Sequence, residues 1–413
     1  MSSTDLSLPK APFLARPGKA LRAAVVLVTI LVPVVLAIRL GVYVSFVDSP
    51  LTAFGMWGAF TIHIWTRPGP KEGIYTILLG IAARGIYNIV IGERGYPGSL
   101  IIGMGTFLGF ASLAVMIVRS LERKGERRAA CRRALAIVAF MSYMGVAWAF
   151  FLSLANAVLP NKFDYLLYHF DGALGLQPSF IVGRVVRSSR PLYWVLMMTY
   201  NCFGYWFSLL YAAHAGARVK YPVSIIKMLV ANGLIGASLY FVCPAMGPKY
   251  AFSNFPNLPS LVPHAAVVAS GPPNAMPSLH FAGALLLLWL SRPWKWLYRW
   301  MVLFTALTGL ATLGLGEHYF IDLVVAIPYA LAILAFSCAL PDRKLPLYAG
   351  AGMLLFWLLA LRFATFPPVI AWTLVVITVA AGFRFEAWLA RRLWVAVAVP
   401  RAQELEPALT VSE

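Results

Sequence analysis

Ala275-Met276-Pro277-Ser278-Leu279-His280 and, further along, Gly316-Glu317-His318-Tyr319-Phe320-Ile321-Asp322 are where a very apolar chain interrupts itself with imidazole and carboxylate. A titratable group at membrane depth costs several kcal/mol unless paired, so it points to function by default. One apolar hairpin joins the two stretches. The chain after Pro277 is apolar to Leu290, breaks at Ser291-Arg292-Pro293-Trp294-Lys295, and is apolar again from Trp300 to Leu315. A crossing takes about 20 helical residues. The 38-residue step from His280 to His318 therefore goes across a bilayer and back, and both histidines end at the same face.

The wider composition supports that reading. Of 413 residues, 61% are hydrophobic and 12% charged, and a mean hydropathy of +0.77 excludes an ordinary soluble domain. The apolar runs are too long and continuous for barrel strands. An all-α polytopic membrane protein is expected, because helices satisfy their own backbone in lipid. The net charge of +19 would suggest nucleic acid on a soluble protein. Here the bases sit mostly in short loops, where positive-inside topology and anionic headgroups explain them, so no nucleic-acid partner is expected. Cys131, Cys202, Cys243 and Cys338 form no paired motif, and neither a disulfide nor a metal site is expected. The run from Ala23 to Phe46 is longer than a signal-peptide core and lacks a small-residue cleavage site after it.

Apolar runs near 23–46, 49–66, 73–92, 99–118, 134–158, 191–213 and 223–243, the hairpin pair, and runs near 321–340, 346–365 and 369–388 predict about twelve spans. With the N-terminus inside, the loops at 67–71, 119–133, 214–221, 291–299 and 341–345 fall inside, and all are basic. The loops at 159–190, 244–276 and 316–320 fall outside. The first is read as a long polar stretch with Lys162, Arg184, Arg187 and Arg190. The second is turn-rich, with Lys249 as its single base. The organisation expected is 1–133 as about four accessory helices ending in a basic cytoplasmic loop, 134–341 as a catalytic six-helix core, and 342–413 as two further helices and a tail. The histidines and Asp322 are expected on the periplasmic, extracellular or luminal face, with the plasma membrane as the location.

His318 and Asp322 are spaced i,i+4, so on a helix they share a face. A carboxylate bonded to one imidazole nitrogen fixes the tautomer and leaves the other nitrogen nucleophilic. His280 follows Pro277-Ser278, a good helix start, and free N–H groups at a helix N-terminus bind phosphate. A second histidine there can protonate a leaving oxygen and deprotonate an acceptor. Lys249 can neutralise charge on the equatorial oxygens. These parts make up phosphoryl transfer through a phosphohistidine, with no metal and no cofactor. Two rival readings stay open at this stage. Two histidines and one aspartate could hold a metal, and Arg39, Arg84, Lys227 and Arg362 could line a transport path. The inverted repeats and broken helices of many transporters are not evident in the sequence.

At these residues the chain resembles the type-2 phosphatidic-acid phosphatase superfamily. Pro277-Ser278-Leu279-His280 is similar to its second signature, and His318 with Asp322 to its third. The resemblance implies a six-helix core over about 134–340, with His318 as nucleophile, Asp322 as its orienting carboxylate and His280 as general acid and base. In the phosphatases an arginine stands six residues before the nucleophile, in a Ser-Arg pair; here those positions are Ala311 and Thr312. That departure, and the form Gly-Glu-His-Tyr-Phe-Ile-Asp-Leu, resemble the inositol phosphorylceramide synthase branch. So do Asp164-Tyr165 with Asp171-Gly172-Ala173-Leu174-Gly175 and Pro178-Ser179, and Pro244-Ala245-Met246-Gly247-Pro248-Lys249-Tyr250. The branch implies a phospholipid donor and a lipid or glycan acceptor. Substrate contacts are expected from Lys249, Ser278, Tyr319, Asn274 and Asp171. Water as the acceptor would make the protein a lipid-phosphate phosphatase instead.

Overall fold

The computed structural model describes residues 50–66, 68–91, 99–122, 125–215, 221–259, 267–268 and 271–409. The expected first span near 23–46, with Arg39, lies outside them. In chain order the helices are α1 (Pro50–Trp65), α2 (Pro70–Ile91), α3 (Ser99–Glu122), α4 (Gly125–Val158), α5 (Asp164–Ala173), α6 (Pro178–Ser188), α7 (Arg190–Asn201) and α8 (Phe203–Ala215). Then come α9 (Ile225–Val242), the single turn α10 (Pro248–Ala251), α11 (Leu279–Leu290), α12 (Lys295–Gly314), α13 (Phe320–Ser337), α14 (Lys344–Phe363) and α15 (Pro368–Leu409). Extended structure among the described residues is a two-residue antiparallel pair, Asn161 opposite Val268 and Lys162 opposite Val267, and a bridge between Val223 and Cys338.

Among the described residues, six segments are long and apolar enough to cross a membrane: Gly103–Glu122, Ile225–Val242, Lys295–Gly314, Phe320–Ser337, Pro341–Phe363 and Pro368–Trp394. The protein is therefore an integral membrane protein, but twelve crossings are not established. Two expected spans differ in form. The run at 191–213 is broken at Cys202 into α7 and α8, and α11 is a helix of only 12 residues.

The segment α13 lies at the centre. Of its residues 89% are buried, against 22% in each of the last two spans. The sequence explains this: Phe320–Ser337 is apolar on every side, and a helix of that kind belongs inside a bundle. It touches α5, α9, α11, α14 and α15. Its ends are chemically opposite. At the C-terminus, Lys227 Nζ and Arg343 Nη1 both donate to the Phe336 carbonyl, at 2.6 and 3.1 Å, and Arg343 also reaches the Cys338 carbonyl at 2.6 Å. At the N-terminus the carboxylates of Asp171 and Asp322 accept from free backbone N–H groups. Acids at the start and bases at the end both complement the helix dipole.

That polarity separates the two ends of the molecule. The segments 221–224, 291–295 and 338–343, the last two with Arg292, Lys295 and Arg343, gather at one end, where Ser224 N bonds Ser337 O, Ala339 N bonds Pro222 O and Arg292 pairs with Glu386. The segments 160–188, 244–259, 271–278 and 315–319 gather at the other, the grouping that the charge count predicts. The stretch 160–190, expected as a polar loop, is mostly helix. In α6, Ser179, Phe180, Gly183 and Val186 are buried while Arg184 and Arg187 are exposed, a helical period that prolines and charges had masked. Arg187 donates to the Phe255 carbonyl at 3.0 Å.

The three expected path residues that are described do not form a file. Arg84 is buried beside Phe107 in α2–α3, Lys227 caps α13 at the basic end, and Arg362 lies over Phe163 at the opposite end. The N- and C-terminal helices join the same interior. Ala59 and Ile62 of α1 and Leu389 and Leu393 of α15 belong to the central buried cluster. Trp357, Leu361, Ala371 and Val375 pack with Tyr319 and Ile321.

Candidate active site

Three loops converge at the N-terminus of α13, and two buried aspartates of α5 tie them together. Asp164 Oδ1 accepts from Met246 N at 3.1 Å, Gly247 N at 3.0 Å and the Tyr319 hydroxyl at 2.9 Å. Asp171 accepts from Phe320 N at 2.8 Å and Ile321 N at 3.1 Å. Burial pushes the Asp164 carboxyl up to about 6, against the pull of its N–H and hydroxyl donors, and holds Asp171 well above the usual carboxylate range. Backbone contacts complete the clamp: Ala275 N to Ala245 O at 2.8 Å, Lys249 N to Gly316 O at 3.0 Å, and Ser278 N to Asp322 O at 3.3 Å.

Two glycines make this closeness possible. Gly247 and Gly316 have φ of 92° and 73°, a region that costs other residues. A Cβ on Gly247 would stand 2.2 Å from the Glu317 carbonyl oxygen.

His318 sits just before α13 rather than on it. Tyr319 is the N-cap, and Asp322 Oδ2 accepts from Tyr319 N at 2.7 Å. The helical i,i+4 face expected for His318 and Asp322 is therefore replaced by a capping geometry, because the chain turns into the helix only at Phe320. The imidazole Nδ1 is 2.9 Å from the Ala275 carbonyl and 3.5 Å from Asp322 Oδ2. The shorter contact is to an acceptor that cannot donate, so Nδ1 carries the proton and Nε2 the lone pair. His318 Nε2 is buried with no protein partner among the described residues. Ser179 Oγ holds the His318 carbonyl from α6 at 2.8 Å. Burial pulls the His318 pKa down to about 4, with Glu317 and the Ala275 carbonyl opposing and Lys249 assisting.

His280 opens α11 in its first turn, after the N-cap Ser278, whose Oγ accepts from Phe281 N at 3.3 Å. Its ring stacks on Tyr200 at 3.9 Å between centroids and meets the edge of Phe203 at 5.8 Å. The two imidazoles lie within electrostatic reach of each other. Lys249 is not a lone cation. It pairs with Glu317, and its ammonium lies 4.6 Å from the centre of the Tyr250 ring. Burial works against that charge, but Glu317 and Tyr250 outweigh it and hold the Lys249 pKa above the ordinary lysine value.

Of the expected substrate contacts, Lys249 acts electrostatically on the His318 ring, and Asn274 Oδ1 is a buried atom with no protein partner among the described residues. Three others are already committed to the scaffold. Asp171 caps α13, Tyr319 is fully buried with its hydroxyl on Asp164, and Ser278 is fully buried as an N-cap. The reason is the same in each case: a buried polar group takes a protein partner, a backbone N–H for Asp171 and Ser278 and a carboxylate for Tyr319. Sequence reasoning missed Glu317 as a site residue, although an acid directly before His318 in an apolar chain was a signal. It also missed the Ala275 carbonyl and Tyr200, which carried none. Thr312, where the phosphatases carry arginine, is fully buried and its carbonyl accepts from Glu317 N and His318 N, both at 3.1 Å. No group of three or more His, Cys, Asp or Glu is placed to hold a metal ion among the described residues.

No curated protein and no solved structure matches the chain. The family model of the PAP2 superfamily matches residues 166–336, the stretch from α5 to the end of α13 that builds most of this site, and supports placing it in that superfamily.

Proposed function

We propose that the protein is a membrane phosphotransferase that moves a phosphoryl headgroup to a lipid or glycan hydroxyl through a phosphohistidine on His318, with inositol phosphate from phosphatidylinositol as the group moved. Members of the PAP2 superfamily are typically phosphatases or phosphotransferases, and the match over 166–336 supports that class. One observation carries the reading: a buried imidazole whose Nδ1 is held by the Ala275 carbonyl and whose Nε2 has no protein partner among the described residues. Nε2 attacks phosphorus, the bond from phosphorus to the diacylglycerol oxygen breaks, and that oxygen takes a proton from His280. In the second half, His280 takes the proton of the acceptor hydroxyl, whose oxygen attacks phosphorus and frees His318. Asp322 positions the turn that carries the nucleophile. Residues 134–341 are the catalytic unit in this reading, and the site opens to the outer face.

The buried Thr312 in place of the phosphatase arginine favours transfer from a diester over hydrolysis of a monoester. The test is incubation of the purified protein with phosphate-labelled phosphatidylinositol and total lipid, with acid quenching and mass spectrometry. An acid-labile adduct on His318 and a new inositol-phosphate lipid are expected. Inositol phosphate released to water with no lipid product would make the protein a phosphatase. Activity is expected to survive EDTA; a loss restored only by a divalent ion would favour a metal-assisted reaction.

A further inference from the structure

The pair Lys249–Glu317 stands beside the nucleophile and joins two loops of the site. Lys249 is anchored by its N–H on the Gly316 carbonyl, and Glu317 is 8% exposed. Both charges act on the His318 ring, Glu317 favouring its protonated form and Lys249 opposing it. Around the pair, Arg187 of α6 reaches this wall from its exposed edge, where it is turned onto the Phe255 carbonyl. Asp164, Asp171 and Asp322 are turned onto backbone N–H groups, Thr312 is buried, and the ring beside the ammonium is Tyr250. Beside His318 the wall therefore offers a cation and a carboxylate that already hold each other.

We propose that Glu317 is a specificity-determining residue: by occupying Lys249 it makes the site accept a singly charged phosphodiester and refuse a doubly charged phosphomonoester. The proposal rests on phosphoryl transfer at His318 and adds what selects the donor. A diester brings one negative charge, which Lys249 can share with Glu317. A monoester brings about one and a half to two above its second pKa of about 6. Its second charge meets the Glu317 carboxylate while Lys249 is already shared, and like charges in a buried site repel strongly. An added arginine, as in the phosphatases, would remove that bias; the buried Thr312 does not supply it.

The experiment uses two lipids that differ by one methyl group and one charge: phosphatidylmethanol and phosphatidic acid with the same acyl chains. Diacylglycerol release by the full chain in mixed micelles is measured from pH 5.5 to 8, with a long-chain alcohol present as acceptor. The wild type is expected to prefer phosphatidylmethanol by roughly tenfold or more at pH 7.5, as an uncompensated charge of this kind implies. Its turnover of phosphatidic acid should rise as pH falls towards about 6, where that lipid loses its second charge. His318, held near 4, does not titrate in this window. Glu317→Gln should shrink the preference about tenfold and flatten the phosphatidic-acid profile, and Glu317→Asp should keep both. An unchanged ratio and profile in a folded Glu317→Gln protein would overturn the proposal. If that variant does not fold, the wild-type profile decides alone: phosphatidic acid turned over as fast as phosphatidylmethanol, independent of pH, overturns it. Release from neither lipid, or release that survives His318→Ala, would instead overturn phosphoryl transfer at His318 and the proposal with it.

Discussion

Among single residues, reactivity turns on which nitrogen of His318 keeps its lone pair. The Ala275 carbonyl holds Nδ1, so loss of Asp322 does not by itself release the tautomer. Asp322→Ala should cost on the order of 10²–10⁴ in rate by analogy with the orienting carboxylate of a catalytic triad, towards the lower end for that reason. Asp322→Asn should keep more stability than Asp322→Ala, because an amide oxygen still accepts from Tyr319 N. Kinetics and thermal unfolding of both variants separate the two effects. His318→Ala should abolish the acid-labile adduct and turnover together. The low-pH limb of kcat/KM should fall near 4 rather than near 6.5, since burial keeps His318 neutral. The sign for stability follows from the same shift. The histidine binds its proton more weakly in the fold than in the unfolded chain, so its contribution is present above about 6.5 and is lost as pH falls towards about 4. Lys249→Ala should lose activity, and Lys249→Arg should keep part of it, because a cation near the equatorial oxygens is what the reaction needs.

At the scale of elements, the N-terminus of α13 is the critical joint. Asp171 supplies acceptors to two of its free N–H groups from 149 and 150 residues away. Asp171→Ala leaves both donors buried and unpaired, at about 1–3 kcal/mol for each such group. Thermal unfolding in detergent should show a clear fall, larger than for Asp171→Asn, with activity following stability. A variant that kept its stability and lost only substrate affinity would return Asp171 to the role of substrate contact. The loop turns are less forgiving. Gly247→Ala puts a Cβ against the Glu317 carbonyl oxygen in a backbone region that favours glycine. It should abolish turnover even where the protein still accumulates in the membrane.

For the whole molecule, the distribution of charge predicts which end of the bundle faces the cytoplasm. A cysteine introduced at the exposed Asn254 should label with an impermeant thiol reagent in intact cells, and one at Gly125, at the start of α4, should not. Labelling at Gly125 alone would invert the topology and turn the chemistry to the cytoplasm. The last two helices back the site, since Trp357, Leu361, Ala371 and Val375 share a cluster with Tyr319 and Ile321. A chain ending at Asp342 should therefore lose activity although every proposed catalytic residue is retained. Comparing its yield and turnover with the full chain checks this.

Composition and run length determined, without any coordinates, that this is a helical membrane protein, because only the hydrocarbon environment suits so apolar a chain and only helices of this length satisfy it. Charge counting placed 159–190, 244–276 and 316–320 at one end, and those segments do meet there. The hairpin brought His280 and His318 to one face. What the sequence left undecided was which polar group meets which. Asp171, Tyr319 and Ser278 resembled substrate contacts, and the fold uses all three as caps and ties. Lys249 resembled a lone clamp, and the fold gives it Glu317. The helix in 178–188 was hidden because its apolar face shows only against the packed loops. Burial and periodicity are properties of a local stretch, so they can be read along the chain. A hydrogen-bond partner 139 residues away, as Ser179 is to His318, is chosen by the close approach of two segments, and only the tertiary structure decides that.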